Sequence, residues 1–278
     1  MDTIHMDMLL LKKEKLKMAN ENKNTNSATP KKDNTAILKK DNSGKTPFSV
    51  VESYKHIRIH LVTALSNAEG NVVTVSSPNA AEGKSNTAAN TAITLSQLNK
   101  KVLLIDADSR RSTIHQKLKI ENELGLMDVI TGEATVDAVV KSYNPYLDIM
   151  TSGTNHNNPS ELYSSQSFDD MIKEVSEKYD YVLIDTPPVN IVSDALVIAQ
   201  KTTGMLLVIR ADFTNGDSFR KALNLTKALD INLLGVVINS VNAESKKYYK
   251  YGKYGKYGYG KYGRYGKYGY GKYDKYGY

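Results

Sequence analysis

The sequence N-V-V-T-V-S-S-P-N-A-A-E-G-K-S-N-T-A-A-N-T-A, residues 71–92, decides the fold. It starts with a run rich in β-branched residues, turns at a proline, and continues after Gly83-Lys84-Ser85 with residues that favour a helix. The predicted order is therefore strand, loop, helix. A loop in this position can surround a polyphosphate with backbone N–H groups, and the helix N-terminus adds partial positive charge.

The loop matches only the second half of the general pattern G-x-x-x-x-G-K-[ST], because Pro78 stands where that pattern has its first glycine. If the loop binds nucleotide, Lys84 reaches the β- and γ-phosphates and the Ser85 hydroxyl binds Mg²⁺. The alternative is an ordinary strand-to-helix turn with a helix-capping serine. The surrounding sequence distinguishes the two.

The composition excludes several classes of protein. The 278 residues contain no cysteine, which rules out disulfides and cysteine-ligated metal sites. No apolar run reaches the roughly 18–20 residues that span a bilayer, and the first residues lack the order of a secretory signal, so we expect a cytoplasmic protein. Residues 246–278 carry a net charge of +9, so the rest of the chain sums to −2 and predicts no specific nucleic-acid partner.

The chain divides into three parts by composition. Residues 1–46 are rich in Lys, Asn, Asp, Thr and Ser and are predicted to form a disordered arm. Residues 47–243 contain the apolar runs of one folded domain, which opens with a helical pattern over Ser49–Leu65. Residues 244–278 are predicted to be a flexible tail rich in Tyr, Gly and Lys.

Strands and helices alternate along the predicted domain. Lys101–Ile105 is an almost entirely apolar run of strand length, as expected for a strand covered on both faces. The further predicted strands are Leu147–Thr151, Tyr181–Ile184, Met205–Ile209 and Leu233–Ile238, and the helices are Ala88–Leu98, Ser160–Lys178, Ser193–Lys201 and Asp217–Leu229. This alternation predicts an α/β domain with a mainly parallel central sheet flanked by helices. In such sheets ligands bind at the carboxyl ends of the strands.

Acidic residues stand at two predicted strand ends. The second strand ends in L-L-I-D-A-D-S-R, residues 103–110, and the fourth in V-L-I-D-T-P-P, residues 182–188. A carboxylate at the end of a buried strand is costly unless it meets a metal, a hydrogen-bond network or a phosphate-linked water. Either Asp106 or Asp185 alone could be an ordinary loop residue. Together with the Gly-Lys-Ser loop they predict a nucleotide site.

These three segments resemble those of the deviant P-loop ATPases, and more closely those of the bacterial tyrosine kinases that accompany capsular and exopolysaccharide synthesis. The resemblance covers residues 48–278 and includes N-P-S-E-L at 158–162, Asn90 and the tyrosine-rich C-terminus. The family calls the three segments Walker A, Walker A′ and Walker B. The D-x-D-x-R spacing of the second is the most specific, because ordinary P-loops lack it.

The resemblance implies a role for each residue in phosphoryl transfer from ATP·Mg²⁺, which requires alignment and charge neutralisation more than covalent catalysis. Asp106 is the candidate base, and Asp108 supports the site. The implied catalytic residues are Lys84, Asp106, Asp108 and Asp185; the nucleotide-binding residues are Glu82, Gly83, Lys84, Ser85, Asn86, Arg210 and Asn239; and the metal-binding residues are Ser85, Asp106 and Asp185. Asn239 matches the family's adenine-side Asn, and Arg210 matches an arginine that ends the preceding strand, although both could simply be polar residues that end a strand.

The loop departs from the family's usual P-G-E-G-K-S-T, because it reads A-A-E-G-K-S-N. Ala80 and Ala81 replace Pro and Gly, and Asn86 replaces Thr. The Cβ of Ala81 stands where backbone must approach phosphate closely. The sequence therefore also allows a weakly active member of the family that acts as a scaffold.

Glu52, Lys55 and Arg58, with His60, resemble the family's E-x-x-R-x-x-R-x-N oligomerisation row, although a solvated helix face would look the same. The resemblance implies a ring-shaped homo-oligomer with these residues at its interface. It further implies a membrane-embedded activator of the polysaccharide co-polymerase type and a cognate tyrosine phosphatase as partners. Through that activator the protein would associate with the inner face of the membrane.

The tail is a candidate substrate for this activity, because it holds thirteen of the nineteen tyrosines and its Gly and Lys residues give them no apolar face for packing. The predicted phosphoacceptors are Tyr248, Tyr249, Tyr251, Tyr254, Tyr257, Tyr259, Tyr262, Tyr265, Tyr268, Tyr270, Tyr273, Tyr276 and Tyr278. Tethered hydroxyls are presented to the site at high effective concentration. The leading hypothesis is an ATP-dependent tyrosine autokinase that phosphorylates this cluster and regulates polysaccharide synthesis and export.

Hypotheses from other classes stay open. The tail could bind RNA, anionic lipid or polysaccharide through charge and aromatic stacking. The domain could be a partitioning or division-site ATPase that switches between monomer and dimer. Those relatives carry a signature lysine where this chain has Asn79, and they do not end in Y-G-K repeats.

Overall fold

In the computed structural model, residues 48–154 and 158–241 are described, and they contain seven strands that form one sheet. The strands are β1 (Val72–Ser76), β2 (Val102–Asp106), β3 (Lys141–Asn144), β4 (Leu147–Met150), β5 (Tyr181–Asp185), β6 (Gly204–Arg210) and β7 (Leu233–Asn239). Their order across the sheet is β3-β4-β2-β5-β1-β6-β7. Neighbouring strands are parallel except for the β3–β4 pair at one edge, so the predicted α/β class is confirmed.

Helices cover both faces of this sheet. They are α1 (Phe48–Ser66), α2 (Lys84–Ser96), α3 (Ile114–Leu118), α4 (Leu126–Ile130), α5 (Val136–Val139), α6 (Pro159–Tyr163), α7 (Gln166–Lys178), α8 (Asp194–Ala199) and α9 (Gly216–Ala228). Apolar side chains of α1, α2 and α3 pack on one face, and those of α4 to α9 pack on the other. Within the described ranges, none of the helices combines the length and hydrophobicity of a membrane span.

The centre of the sheet explains why the predicted acids meet. Strands β1 and β2 are buried along their whole length, as expected for strands covered on both faces. Because β5 lies between β1 and β2, the carboxyl ends of these three strands are neighbours. In the register of the sheet, Asp185 pairs with Asp106 on one side and with Val75 on the other. The topology therefore places the loops after the three strands around one point.

Some predicted elements were wrong in number or extent. The predicted helix over 160–178 is two helices, because the Ser165 side chain caps a new helix by accepting a hydrogen bond from the Phe168 N–H. The strand that ends in Asp185 is the fifth, not the fourth, because β3 was missed. Its sequence K-S-Y-N has no apolar run, since this edge strand pairs with β4 alone and stays partly exposed.

Other boundaries differ by a few residues. Helix α2 starts at Lys84, four residues before the predicted start, because Gly83 is its N-cap. The short helices α3, α4 and α5 carry too few turns for a periodic signal and were not predicted. The predicted arm, residues 1–46, and the tail, residues 244–278 with its tyrosines, lie outside the described residues.

Candidate active site

The loop after β1 ends at a glycine that no other residue can replace without a shift. Gly83 has φ 97°, a left-handed conformation that L side chains rarely adopt. A Cβ on Gly83 would lie 2.0 Å from Nδ2 of Asn239 at the end of β7. Helix α2 follows at once, and eleven of its thirteen residues are buried. The predicted strand, loop and helix are thus present, with the helix N-terminus at the loop.

Lys84 joins the loop to two of the predicted acids. Its Nζ lies 2.8 Å from Oδ2 of Asp108, 3.5 Å from Oδ1 of Asp185, and 3.3 Å from the Ser85 Oγ. Burial alone would lower the pKa of Lys84, but the charges of Asp185 and Asp108 outweigh it, so that pKa is raised. The lysine is therefore a partly buried cation held between carboxylates that come from two other strand ends.

Asp106 is held by the turn that leads into α3. Its Oδ2 accepts hydrogen bonds from the Ser112 hydroxyl at 2.8 Å, the Thr113 N–H at 3.1 Å and the Ile114 N–H at 3.0 Å. Its Oδ1 accepts one from the Asp108 N–H at 3.2 Å. Burial raises the pKa of Asp106 even though these donors oppose it. Oδ2 is therefore occupied by hydrogen bonds within the protein, whereas Oδ1 can still accept a proton or bind a metal.

Asp185 lacks such support. Its carboxylate is fully buried, and within the described residues neither oxygen makes a hydrogen bond of good geometry. The Lys84 ammonium at 3.5 Å and the Ser85 hydroxyl are the donors beside it. Burial raises the pKa of Asp185 to about 7, although the Lys84 charge opposes the shift. A buried carboxylate of this kind needs a further cation or donor.

The donors present fit Mg²⁺ that is shared with a nucleotide. Mg²⁺ is commonly held by one or two carboxylates, with phosphate and water oxygens completing its shell. The unsatisfied oxygens of Asp185 and the Ser85 hydroxyl supply protein oxygens of that kind. In the described part of the chain, no group of three or more His, Asp or Glu side chains could hold a metal without a ligand's help.

Glu82 supports the loop from inside. Its carboxylate is completely buried. It accepts hydrogen bonds from the Asn79 N–H at 2.9 Å, the Asn79 side-chain amide at 3.1 Å and the Thr214 hydroxyl at 2.6 Å. A direct contact between the backbone of Glu82 and the nucleotide stays a prediction. Thr214 belongs to no motif and was missed, because only the fold brings the end of β6 to the loop.

The two predicted nucleotide-binding residues at the ends of β6 and β7 lie against the loop. Arg210 and Asn239 are partners in the register of β6 and β7. Arg210 Nη1 donates to the Ala81 carbonyl at 3.4 Å, and its guanidinium lies 5.2 Å from the centre of the Phe213 ring. Asn239 Nδ2 donates to the Glu82 carbonyl at 3.0 Å. Both residues therefore do more than end a strand.

A second network joins the Walker A′ arginine to the N-P-S-E-L segment. Arg110 Nε lies 3.0 Å from Oδ2 of Asp194, which is fully buried at the start of α8. The Ser160 hydroxyl donates to the other oxygen of Asp194. The buried Tyr163 hydroxyl donates to the Ala107 carbonyl at 2.7 Å. The sequence pattern alone implied no role for this segment, and the structure shows that it supports the loop after β2.

The remaining predicted residues are placed as follows. Asn86 lies in the first turn of α2, and its carbonyl accepts a hydrogen bond from Asn90. In the predicted oligomerisation row, Lys55 pairs with Glu52 at 2.7 Å within α1. Arg58 Nη1 donates to the Thr94 carbonyl of α2 at 2.8 Å. The role of this row in a ring interface stays a prediction.

Ala81, which stands where the family's usual loop has glycine, has a strained backbone conformation. It has φ 64°, a left-handed conformation that an alanine adopts at a cost of about 1–2 kcal/mol. Glycine populates that region freely, which is why the related loops carry it there. The alanine therefore keeps a glycine-like backbone in this chain.

Replacing Ala81 with Gly is expected to tighten ATP binding, because the backbone then adopts the loop conformation without strain and no Cβ faces the phosphates. Stability should change by less than about 1 kcal/mol, since the extra freedom of glycine in the unfolded chain offsets the relief. Titration calorimetry with MgATP and thermal unfolding measure the two effects. Asn99→Gly is the matched control, because Asn99 also has a positive φ, 57°, but follows α2 at its other end. Unchanged or weaker binding by the Ala81 variant would contradict the prediction.

Comparison with known proteins shows a similarity to one protein family and to bacterial tyrosine-protein kinases. The family described as "AAA domain" matches residues 70–215. The tyrosine-protein kinase ptk of Acinetobacter johnsonii is 35% identical over 219 residues, which are 78% of this chain but 30% of that relative. The tyrosine-protein kinase YwqD of Bacillus subtilis is 36% identical over 199 residues, which are 71% of this chain and 84% of the relative. The chain thus spans under a third of the first relative's length and most of the second's.

A solved structure extends the likeness to the fold. The kinase domain of the Escherichia coli tyrosine kinase ETK matches with a TM-score of 0.71 at 28% identity. The match covers 81% of this chain and 87% of that domain. It therefore reaches well beyond the loop and the strands beside it.

Proposed function

Because this chain belongs to the family of bacterial tyrosine-protein kinases, as its sequence predicted, we propose that it is an ATP-dependent kinase of tyrosine side chains, above all those of its own tail. Its P-loop fold implies nucleotide binding. The observation that carries the proposal is the cluster of Lys84, Asp108 and Asp185 at neighbouring strand ends. This cluster combines a phosphate-binding cation with carboxylates that can serve a metal and an acceptor hydroxyl.

Nucleotide binding uses the loop and Lys84. The N–H groups at the start of α2 face the β- and γ-phosphates, and Lys84 exchanges part of its contact with Asp108 for phosphate oxygens. Ser85 and Asp185, with Asp106 nearby, would hold a Mg²⁺ ion, which would supply positive charge for the phosphates. Arg210 and Asn239 fix the base at the far side of the loop. The chain's main contribution is alignment in a buried, charged site.

Transfer then requires a proton acceptor. The tyrosine oxygen forms a bond to the γ-phosphorus as the bond from that phosphorus to the β–γ bridging oxygen breaks, and ADP leaves with the electron pair. The phenolic proton passes to Oδ1 of Asp106, whose other oxygen is held by Ser112 and the start of α3. A pKa raised by burial makes Asp106 a better acceptor than a solvated aspartate.

The charge of the tail favours it as the substrate. Lys and Arg between the tyrosines give residues 246–278 a net charge of +9, while the site contains three carboxylates and one lysine. Each phosphate adds about −1.5 to −2 charges, so a few modifications reverse the sign of the tail. A phosphorylated tail is then repelled by the acidic site that modified it.

We further propose the partners that the family resemblance implies. They are a membrane-embedded activator that brings the chain to the inner face of the membrane, a tyrosine phosphatase and a ring of identical subunits. The row of Glu52, Lys55 and Arg58 on α1 supports the ring, because these residues remain partly exposed. In this arrangement one subunit modifies the tail of its neighbour, and the phosphorylation state regulates polysaccharide synthesis and export.

The test is tyrosine phosphorylation of the purified chain. Incubation with MgATP, with and without the cytosolic segment of the activator, is expected to place phosphate on tyrosines 248–278, read by mass spectrometry. A variant with all thirteen tail tyrosines changed to Phe should lose nearly all incorporated phosphate and keep its affinity for MgADP. Equal incorporation of phosphate in that variant would show that the acceptor sites lie outside the tail. A complete lack of phosphotyrosine in the wild type under both conditions would exclude the kinase.

A further inference from the structure

We propose that Thr214 is a positioning residue of the nucleotide site, which holds the phosphate loop in its binding conformation through the buried carboxylate of Glu82. The inference rests on the proposed nucleotide binding and extends it to a residue outside the three motifs. Thr214 lies between β6 and α9, whereas Glu82 lies in the phosphate loop itself. One hydroxyl thus connects the segment after β6 to the phosphate loop.

The hydrogen bonds at Thr214 form a short chain. Its Oγ1 accepts from the Arg210 N–H at 2.8 Å and donates to Oε1 of Glu82 at 2.6 Å. The accepted bond fixes the rotamer of the hydroxyl, so its proton is directed at the carboxylate. Hydrogen bonds to a charged acceptor are roughly twice as strong as neutral ones. The Thr214 bond therefore ties the loop to Arg210, the last residue of β6.

The other donors to Glu82 come from the loop. Asn79 donates with both its backbone and its side chain, and the Ser77 hydroxyl in turn donates to the Asn79 carbonyl at 2.7 Å. Because Glu82 is completely buried, its side-chain oxygens rely on these donors for their hydrogen bonds. The Glu82 carboxylate thus accepts hydrogen bonds from the first half of the loop, and Thr214 donates to it from outside the loop.

This loop has a particular need for an external support. Ala81 stands where the family's usual loop has a glycine, and it keeps a left-handed φ of 64°. A strained residue persists only where the surrounding structure determines its conformation. Arg210 and Asn239 hold the Ala81 and Glu82 carbonyls, and Thr214 holds the Glu82 side chain. These contacts keep the loop in shape before nucleotide arrives.

Without the Thr214 hydroxyl, the loop samples other conformations, and the apparent affinity falls with the fraction that stays competent. Thr214→Val keeps the side chain's shape and removes the hydrogen bonds. It is expected to weaken MgADP binding about tenfold, as for a loop that is competent a tenth of the time. Thr214→Ser keeps the hydroxyl and should restore wild-type affinity. In phosphorylation assays the valine variant should raise KM for ATP by a similar factor and change kcat much less, because Thr214 does not touch the reacting atoms.

Thr226→Val is the matched control. Thr226 is a buried threonine of α9 whose hydroxyl donates to the Leu223 carbonyl of the same helix at 2.9 Å. Its loss costs a buried hydrogen bond in the helix that follows Thr214 without reaching the loop, so MgADP affinity should stay at the wild-type value. Thermal unfolding of both valine variants shows how much each is destabilised. An equal loss of affinity in both would mean that α9 is merely loosened and would overturn the proposal.

The outcomes separate this inference from the proposed function. If Thr214→Val binds MgADP with wild-type affinity, the positioning role of Thr214 is overturned, but the proposed kinase activity is not. If the wild-type chain binds MgADP but phosphorylates nothing, the proposed kinase activity is excluded. The MgADP affinities of the Thr214 variants, measured by calorimetry, still test the role of Thr214. A wild-type chain that binds no MgADP overturns both.

Discussion

Replacing Lys84 with Met is expected to lower tyrosine phosphorylation by about 10³-fold, the loss seen when a preorganised charge is removed from a transition state. The ammonium is the cation that joins the phosphate loop to Asp108 and Asp185, at 2.8 and 3.5 Å. Methionine fills a similar volume but leaves those carboxylates without their partner. The measurement is incorporation of phosphate into the tail under saturating MgATP, with the activator segment present.

The same substitution should also change stability in a way that depends on pH. The pKa of Lys84 is raised in the folded chain, so its charge contributes stability that is present below its unfolded pKa and is lost only as pH rises through the raised value. Without Lys84, the buried Asp185 has lost an opposing charge. Because Asp185, with its pKa raised to about 7, is largely protonated at pH 4 and needs no opposing charge there, thermal unfolding is expected to show a larger loss of stability at pH 8 than at pH 4.

Lys100→Met is the control for Lys84→Met. Lys100 is an exposed lysine that pairs with Asp180 at 3.3 Å, and an exposed pair of this kind contributes little to stability. Its replacement should leave both phosphorylation and the pH dependence of unfolding unchanged. Wild-type phosphotyrosine in the Lys84 variant would show that another kinase had modified the chain and would remove the basis of the proposed function.

The sequence predicted most of what depends on local pattern. Buried strands such as Val102–Asp106 are apolar along their length, so their positions and the parallel sheet could be inferred. The acids at the ends of β2 and β5 could be inferred for the same reason, since each follows an apolar run. The family was inferred from the resemblance of the phosphate loop and of the segments that contain those residues to its Walker A, Walker A′ and Walker B motifs.

What the sequence could not predict depends on contacts between distant segments. Glu82 belongs to the phosphate motif, and only the fold shows that its carboxylate is bound by Thr214, which follows it by 132 residues. Asp106 was inferred to be a base, but its bonds to the turn before α3 depend on a helix too short to give a periodic signal. The edge strand β3 was missed because partial exposure leaves no apolar run.

Replacing Asp185 with Asn is expected to abolish most phosphorylation and, at the same time, to stabilise the nucleotide-free protein. The carboxylate is fully buried without a hydrogen bond of good geometry, an arrangement that costs about 1–3 kcal/mol. An amide of the same shape has no charge to desolvate, and Lys84 keeps its contact with Asp108 at 2.8 Å. A gain of that size raises Tm by roughly 2–10 °C in a domain of this length.

The pH dependence of this gain follows from the raised pKa of Asp185, about 7 in the folded chain. An acid whose folded pKa lies above its unfolded value destabilises the protein once it ionises. The penalty is absent below about pH 4, the usual pKa of an aspartate, and grows until pH 7. The Tm difference between the Asn variant and the wild type should therefore be largest at pH 8 and vanish near pH 4.

Asp128→Asn is the matched control, because Asp128 is also fully buried but accepts hydrogen bonds from the Gly125 N–H, the Thr154 N–H and the Thr154 hydroxyl. An amide nitrogen there faces donors, so this variant should lose stability at pH 8. The opposite signs in the two variants would show that Asp185 is kept ionisable for a bound cation at the expense of stability. A loss of stability in both would mean that Asp185 is already satisfied by its neighbours, and retained phosphorylation in the Asp185 variant would remove it from the metal site.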